Sequence, residues 1–366
     1  MKLDRFLEER AIPDVLEKKN GKKIGTATEF LKQKQELRKM LAEWEYGAIP
    51  QKPEHLDVRV ELVAPEFAAG KAPLTKLRFT ATDRGTTFSF PVYSVIPKER
   101  AGKLPAFVFL NFRSHVPDKY LPSEEIADRG YAVFSFCYKD ITGDDDNFRD
   151  AGARFLGNGR RAKDATGKIA MWAWAAMRVM DYVESLPEID GEQVAVIGHS
   201  RLGKTALLAG AFDERFRYVI SNDSGCSGAA LTRGKIGEGK REITRTFPFW
   251  FCPRYNEPTA AEDLPFDQNA LLALIPPRHI LIGSAEEDSW ADPTSEFLNL
   301  YATNRVYRLF GLRGLVTPDE IPNAPVSLGE GDACYHVRRG MHYLSRTDWN
   351  AYMDYIDRKR QESPKK

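Results

Sequence analysis

The sequence predicts an α/β fold: a mostly parallel central sheet, helices on both faces, and antiparallel strands at one edge. Three observations lead there. Residues 104 to 112 and 131 to 138 are nearly continuous apolar or aromatic runs, as expected of strands buried on both faces. Helical patterns alternate with such runs through the rest of the chain, which favours parallel strands joined by crossover helices. Before residue 104 the pattern instead alternates apolar and polar residues one by one, the signature of half-exposed strands.

The elements follow in order. Residues 1 to about 50 are charged and helical in pattern. Thr26-Ala27-Thr28-Glu29 reads as a capping box, Phe30, Leu37, Leu41 and Trp44 share a face, and Gly47 and Pro50 end the helix. This segment is expected to lie against a single catalytic domain that takes the whole chain, residues 1 to 366. Leu56, Val58, Val60 and Leu62 alternate with Asp57, Arg59 and Glu61, and residues 77 to 79 and 88 to 95 continue in that style, so these are the antiparallel edge strands. Residues 122 to 129 and 171 to 185 form covering helices. Strands recur at 194 to 197, 218 to 221, 279 to 283 and 333 to 337, with a final helix over 348 to 358. The stretches 139 to 168 and 225 to 269 read as long polar loops. No internal repeat or linker divides the chain. In such a sheet ligands bind at the carboxyl ends of the strands.

Composition removes several classes of function. With 53 basic and 52 acidic residues the formal charge is +1, which gives no electrostatic footprint for nucleic acid or an anionic membrane. No apolar run is as long as a membrane span, and the first ten residues lack the apolar core of a signal peptide. The chain as written is therefore expected in the cytoplasm, or outside it if a leader precedes it. Cys137, Cys226, Cys252 and Cys334 are dispersed without C-x-x-C spacing, so neither a zinc site nor a disulfide framework is expected.

The chemistry centres on Val194-Ala195-Val196-Ile197-Gly198-His199-Ser200-Arg201-Leu202-Gly203-Lys204, a strand, a tight turn and a helix. A serine on such a turn is a nucleophile elbow, the hallmark of the α/β-hydrolase fold, and the first free N–H groups of its helix point at whatever the serine attacks. The match to G-x-S-x-G is imperfect, because Leu202 stands where the second glycine is expected and Gly203 follows it. A serine hydroxyl needs a base. Of the six histidines, His342 lies after a strand and before the last helix, where the base of this fold belongs. His55 and His279 fall on strands, His199 is expected to point elsewhere on the elbow, and His115 sits in a polar loop. Two acids compete to orient the base: Asp223, after the strand at 218 to 221, and Asp288, after the strand at 279 to 283. Shared support with a lean to Asp288 is expected, while Glu287 and Asp292 read as solvated or capping. Arg201 and Lys204 stand in the first turn of a helix, where the dipole disfavours cations. Something negative or electron-rich is therefore expected beside them: a developing oxyanion, or acidic loops joined to them by surface salt bridges.

With these residues assembled, the chain resembles the glucuronoyl esterases, the fifteenth carbohydrate esterase family, and more closely its bacterial members. The resemblance runs over residues 44 to 356 and rests on Leu110-Asn111-Phe112-Arg113, the elbow, Ser224-Gly225-Cys226-Ser227-Gly228-Ala229-Ala230-Leu231, Phe247-Pro248-Phe249-Trp250-Phe251, Leu264-Pro265-Phe266-Asp267-Gln268, Asp288-Ser289-Trp290-Ala291-Asp292-Pro293 and Gly340-Met341-His342. It implies Ser200 as nucleophile, Arg201 in the oxyanion hole, Lys204, Glu238 and Trp290 as sugar contacts, and Phe112 as a wall of the pocket. It also implies a glucuronate-ester substrate, no metal, no organic cofactor and a monomer. Three departures stand out. Asp223 replaces the glutamate usual at its position. His199 and Tyr343 replace the cysteines that form a disulfide in fungal members. Most relatives are exported, whereas this chain shows no signal. An acetyl ester hydrolase of the same fold and a catalytically silent carbohydrate-binding relative are the alternatives.

Overall fold

In the computed structural model, which describes residues 2–157 and 162–362, ten strands make one sheet. They are β1 (His55–Ala64), β2 (Leu74–Asp83), β3 (Thr86–Val95), β4 (Leu104–Asn111), β5 (Ala132–Cys137), β6 (Ile189–His199), β7 (Tyr218–Asn222), β8 (His279–Ala285), β9 (Val326–Leu328) and β10 (Ala333–Arg338). Their order is β1-β2-β3-β5-β4-β6-β7-β8-β10-β9. The run from β5 to β10 is parallel, and β1, β2 and β3 join it antiparallel, as the alternating pattern predicts.

The apolar runs are explained by burial on two faces. Along β4, Ala106, Val108 and Leu110 enter one core while Phe107 and Phe109 enter the other, and along β6 Val194 and Val196 divide from Ala195 and Ile197 in the same way. Helices Lys168–Val183 and Arg201–Phe212 close the first face, and helices Ser123–Asp128 and Arg346–Glu362 close the second. Each valine, leucine, isoleucine or phenylalanine buried this completely contributes roughly 1.5–3 kcal/mol of transfer free energy. Trp172, Trp174 and Trp349, all without exposed surface to speak of, are the largest of the buried side chains.

The order of the strands places the site. β5 lies on one side of β4 and β6 on the other, so the chain changes direction between β4 and β6, and a crevice opens at that point on the carboxyl rim. Register keeps the rim even: His199 is opposite Asn222, Asn222 opposite Gly283, and Arg338 opposite Ala285. The loops that follow β6, β7, β8 and β10 therefore rise from one level.

Some segments differ from expectation. The stretch 139 to 168 contains the helix Ala151–Leu156, capped by Asp150 Oδ1 accepting from Ala153 N–H at 2.7 Å; its residues 158 to 161 lie outside the described residues. The stretch 225 to 269 contains the helix Lys240–Thr246. The short β9 and the helix Pro293–Ala302 carry too little periodicity to be read in advance. In the N-terminal segment the expected cap is present: Thr26 Oγ1 accepts from Glu29 N–H at 3.2 Å, while Glu29 Oε2 reaches back to accept from Gly25 N–H at 3.2 Å and from Thr26 Oγ1 at 3.4 Å. Phe30, Leu37 and Leu41 are buried in the main core, and Tyr46 O–H donates to Ser227 O at 2.9 Å, so the segment is tied to the loop beneath the site.

Candidate active site

Ser200 sits at the end of β6 with φ +57° and ψ −127°, a conformation sparsely populated for a residue with a side chain. The turn closes because Ser200 N–H donates to Asn222 O at 2.8 Å while Ser200 O accepts from Gly203 N–H at 2.8 Å and Lys204 N–H at 3.2 Å. Ser200 Oγ does not cap the helix it begins. The N–H groups of Arg201 and Leu202 are the helical donors left without an intrahelical carbonyl. The two glycines of the motif are required by close approach. A Cβ on Gly198 would lie 2.1 Å from Leu202 O, and one on Gly203 would lie 2.9 Å from Ser221 Oγ. The glycine displaced by one position thus meets the neighbouring strand β7, and Leu202 is wholly buried.

His342 and Asp288 meet beside the elbow. His342 Nδ1 and Asp288 Oδ2 are 2.6 Å apart, and the His342 ring centroid is 4.5 Å from that of His199, the residue before the serine. Burial pushes the Asp288 carboxyl up, but the hydrogen bond and charge of His342, with Ala291 N–H at 3.1 Å, leave it net below its usual value. Asp223 shows the opposite behaviour. It is buried with φ +46°, its Oδ1 accepts from Ala285 N–H at 2.7 Å, and its Oδ2 has no hydrogen-bond partner. Burial first, then the charges of Glu296, Asp288 and Asp348, hold it well above the carboxylate range against the pull of Arg338. The donor atoms of Asp223, Asp288 and His342 lie within 4.8 Å of one another, and among the described residues this is the one group of metal-type donors. Its shortest contact is a hydrogen bond that occupies the imidazole nitrogen. The geometry brings Asp288, not Asp223, onto the ring.

His199 does not point away from the site as expected. It is buried, shares a 2.7 Å contact between its Nδ1 and Asn222 Oδ1, and is pushed down to about 3 by burial and by the neighbouring His342, so its ring is neutral. Tyr120 lies against both His199 and Tyr343, with ring centroids 5.7 Å and 5.1 Å away. Phe112 packs against the same rings, 5.6 Å from Tyr120 and 6.1 Å from His199. The other histidines are elsewhere: His55 begins β1, His115 is exposed after β4, His279 is buried at the start of β8 and bonded to Asp332 O and Tyr355 Oη, and His336 is buried on β10 with its Nδ1 2.7 Å from Ser327 Oγ. Asp292 caps the helix Pro293–Ala302, as expected, and Glu287 is exposed.

The two cations have acquired partners. The Arg201 guanidinium bonds Asp144 and lies over the rings of Trp250 at 4.7 Å and Phe247 at 5.2 Å; Trp250 Nε1 in turn donates to Asp144 Oδ1 at 2.8 Å. An acid from the 139 to 168 segment therefore answers the unfavourable dipole, as the salt-bridge alternative anticipates. Lys204 is buried, with its Nζ donating to Ser224 O and to Cys226 O at 2.6 Å, and Glu238 Oε2 lies 4.0 Å away. Glu238 N–H donates to Trp290 O at 3.1 Å, which places Lys204, Glu238 and Trp290 together. Trp290 is 57% exposed. The indole is therefore not part of the core. A separate cavity of about 700 Å³, lined by Val15, Lys18, Leu37, Met40 and Phe266, shares no residue with this site.

Known proteins similar to this chain over most of its length are esterases. A family profile described as "Glucuronyl esterase, fungi" matches residues 79–311. The carbohydrate esterase MZ0003 from an unknown prokaryotic organism is 33% identical, over 94% of this chain and 89% of that protein. The 4-O-methyl-glucuronoyl methylesterase of Neurospora crassa is 28% identical, over 82% of this chain and 73% of that one. The solved glucuronoyl esterase from Solibacter usitatus superposes with a TM-score of 0.88 at 30% identity, covering 95% of this chain and 97% of that one.

Proposed function

The chain belongs to the glucuronoyl esterase family, and from that membership we propose that it hydrolyses esters of glucuronic or 4-O-methylglucuronic acid, such as join xylan branches to lignin alcohols, through Ser200, His342 and Asp288. Ser200 Oγ attacks the ester carbonyl as its proton passes to His342 Nε2. Asp288, kept ionised, holds the ring through Nδ1 and stabilises the imidazolium. The negative charge that develops on the carbonyl oxygen faces the Arg201 and Leu202 N–H groups and the Arg201 guanidinium. Collapse of the intermediate breaks the C–O bond to the alcohol, which leaves with the proton from His342. Water, deprotonated by the same imidazole, then attacks the acyl-enzyme and frees the uronic acid and the serine. Lys204, Glu238 and Trp290 hold the sugar, and Phe112 walls the pocket. This chain supplies every group used, so the chemistry calls for no metal, organic cofactor or second subunit.

The observation that carries this reading is the 2.6 Å His342–Asp288 bond at the elbow, with a buried cation, a carboxylate and an open indole beside it. The test compares kcat/KM for benzyl glucuronate and 4-nitrophenyl acetate in the parent, Lys204→Ala and Trp290→Ala. Both changes should weaken glucuronate turnover far more than acetate turnover. Equal losses on the two substrates would remove these residues from sugar recognition, and a parent that prefers the acetate would favour an acetyl ester hydrolase.

A further inference from the structure

The loop that carries His342 is held by one side chain that the mechanism above does not use. Arg338 ends β10, and its guanidinium is nine-tenths buried. Nε donates to Asp348 Oδ2 at 2.9 Å and Nη1 to Arg339 O at 3.1 Å, while Nη2 donates to Met341 O at 2.9 Å and also to Tyr343 O. The last two carbonyls belong to the residues on either side of His342. One nitrogen therefore ties down the peptide unit that precedes His342 and the one that follows Tyr343, and so brackets the base on both sides. Asp348, in the first turn of the final helix, closes the other end, since its Oδ2 also accepts from Ser345 N–H and Ser345 Oγ, both at 2.7 Å. The acid loop is joined to the same frame: Glu286 N–H donates to Arg338 O at 2.8 Å and Glu287 N–H to Gly340 O at 3.0 Å.

From this geometry we infer that Arg338 is a positioning residue for the reaction, a clamp that fixes the His342 loop against the Asp288 loop and so sets the line from Asp288 through the imidazole to Ser200. A buried ion pair alone would be satisfied by Arg338 and Asp348; it does not explain why the remaining donors go to carbonyls 339, 341 and 343. A planar fork with five N–H groups can reach all of them at once, which an ammonium cannot. The inference also gives Asp223 a place. Its Oδ2 lies 3.7 Å from Arg338 Nη2, so the second acid of the site faces the clamp instead of bonding the base.

The experiment measures kcat, KM, thermal midpoint and the low-field proton resonance of the His342–Asp288 hydrogen bond in Arg338→Gln and Arg338→Lys. A misplacement of about 1 Å can cost about 10²-fold in rate, so Arg338→Gln should lower kcat by that order with KM within threefold, and should broaden or abolish the resonance. Arg338→Lys, which keeps the buried charge beside Asp348 and with it the fold, should retain its thermal midpoint yet lose at least tenfold in kcat. Either variant, folded, with kcat within threefold of the parent and an unchanged resonance would overturn the clamp, and for a Gln variant that does not fold the Lys variant decides. The inference rests on His342 as the base, and His342→Ala separates the two: if it retains turnover, the base assignment fails, whereas an inactive His342→Ala beside a fully active Arg338→Lys defeats the clamp alone.

Discussion

Two carboxylates stand within reach of one imidazole, and their surroundings drive them apart. Asp288 is held ionised by His342, while Asp223 is raised by burial and by three neighbouring acids. Pairs separated in this way mark the division of roles in an active site. Asp288→Asn should therefore lower kcat by about 10²- to 10⁴-fold, because the imidazolium loses its counter-charge and the ring its tautomer. Asp223→Asn should cost less than tenfold, since Oδ2 makes no hydrogen bond and the remaining amide oxygen can still accept from Ala285 N–H. Steady-state rates of the two variants check this, and the reverse order would give the supporting role to Asp223. Arg201→Ala should lower kcat by about 10²- to 10³-fold if its guanidinium faces the oxyanion. A change confined to KM would assign it to ground-state binding. At this scale the sequence discloses Ser200, His342 and both acids, because the chemistry requires those residue types after strands. It does not disclose Asp144, Trp250 or Arg338. Their roles come from contacts across long stretches of chain, and an acid in a polar loop or an arginine at a strand end carries no local mark of them.

The elbow shows what an element adds. Gly198 permits a turn in which the chain passes within 2.1 Å of where its Cβ would be, and the obstacle is the backbone carbonyl of Leu202, which cannot swing aside. Gly198→Ala should thus both lower the thermal midpoint and abolish turnover, as followed by thermal unfolding and ester hydrolysis. Gly203→Ala meets the Ser221 hydroxyl and should be milder. Retained activity in Gly198→Ala would mean that the turn relaxes without moving Ser200. The strands of the central sheet are legible because burial on both faces leaves apolar runs, and β1 to β3 because burial on one face leaves alternation. β9, three residues long, leaves neither signal. The helix Lys240–Thr246 is hidden for a related reason. Only Lys240 and Ile243 are buried along it, so no apolar stripe announces it.

Across the whole molecule the buried acids set a pH dependence of stability. Burial pushes Glu45 and Glu296 up to about 7 from an ordinary 4.5, against hydrogen bonds from Gln268 to the first and from Ser284 and Gly225 to the second. A raised carboxyl binds a proton in the folded state that the unfolded chain has released, so the contribution of these two acids to stability should fall as pH rises from about 4.5 to about 7 and level off above that window, while His199 and His279, pushed down to about 3 by burial, contribute the opposite slope up to about 6.5. Glu296→Gln can accept from Gly225 N–H and donate to Ser284 Oγ without a charge, so its thermal midpoint should gain on that of the parent as pH rises over the same range. Identical slopes would show that Glu296 titrates normally. Chain-wide charge says little else, since +1 over 366 residues brings little self-repulsion to the fold. The fold class was legible at this scale. The ties of the N-terminal segment to the floor of the site were not, because Tyr46 and Ser227 are far apart in the chain. The account as a whole depends on Ser200 as the nucleophile. The direct measurement is turnover of benzyl glucuronate by Ser200→Ala, with folding verified by circular dichroism. A loss of at least about 10³-fold in kcat with an unchanged spectrum is expected, since only the attacking oxygen is removed; turnover within tenfold of the parent would contradict the mechanism.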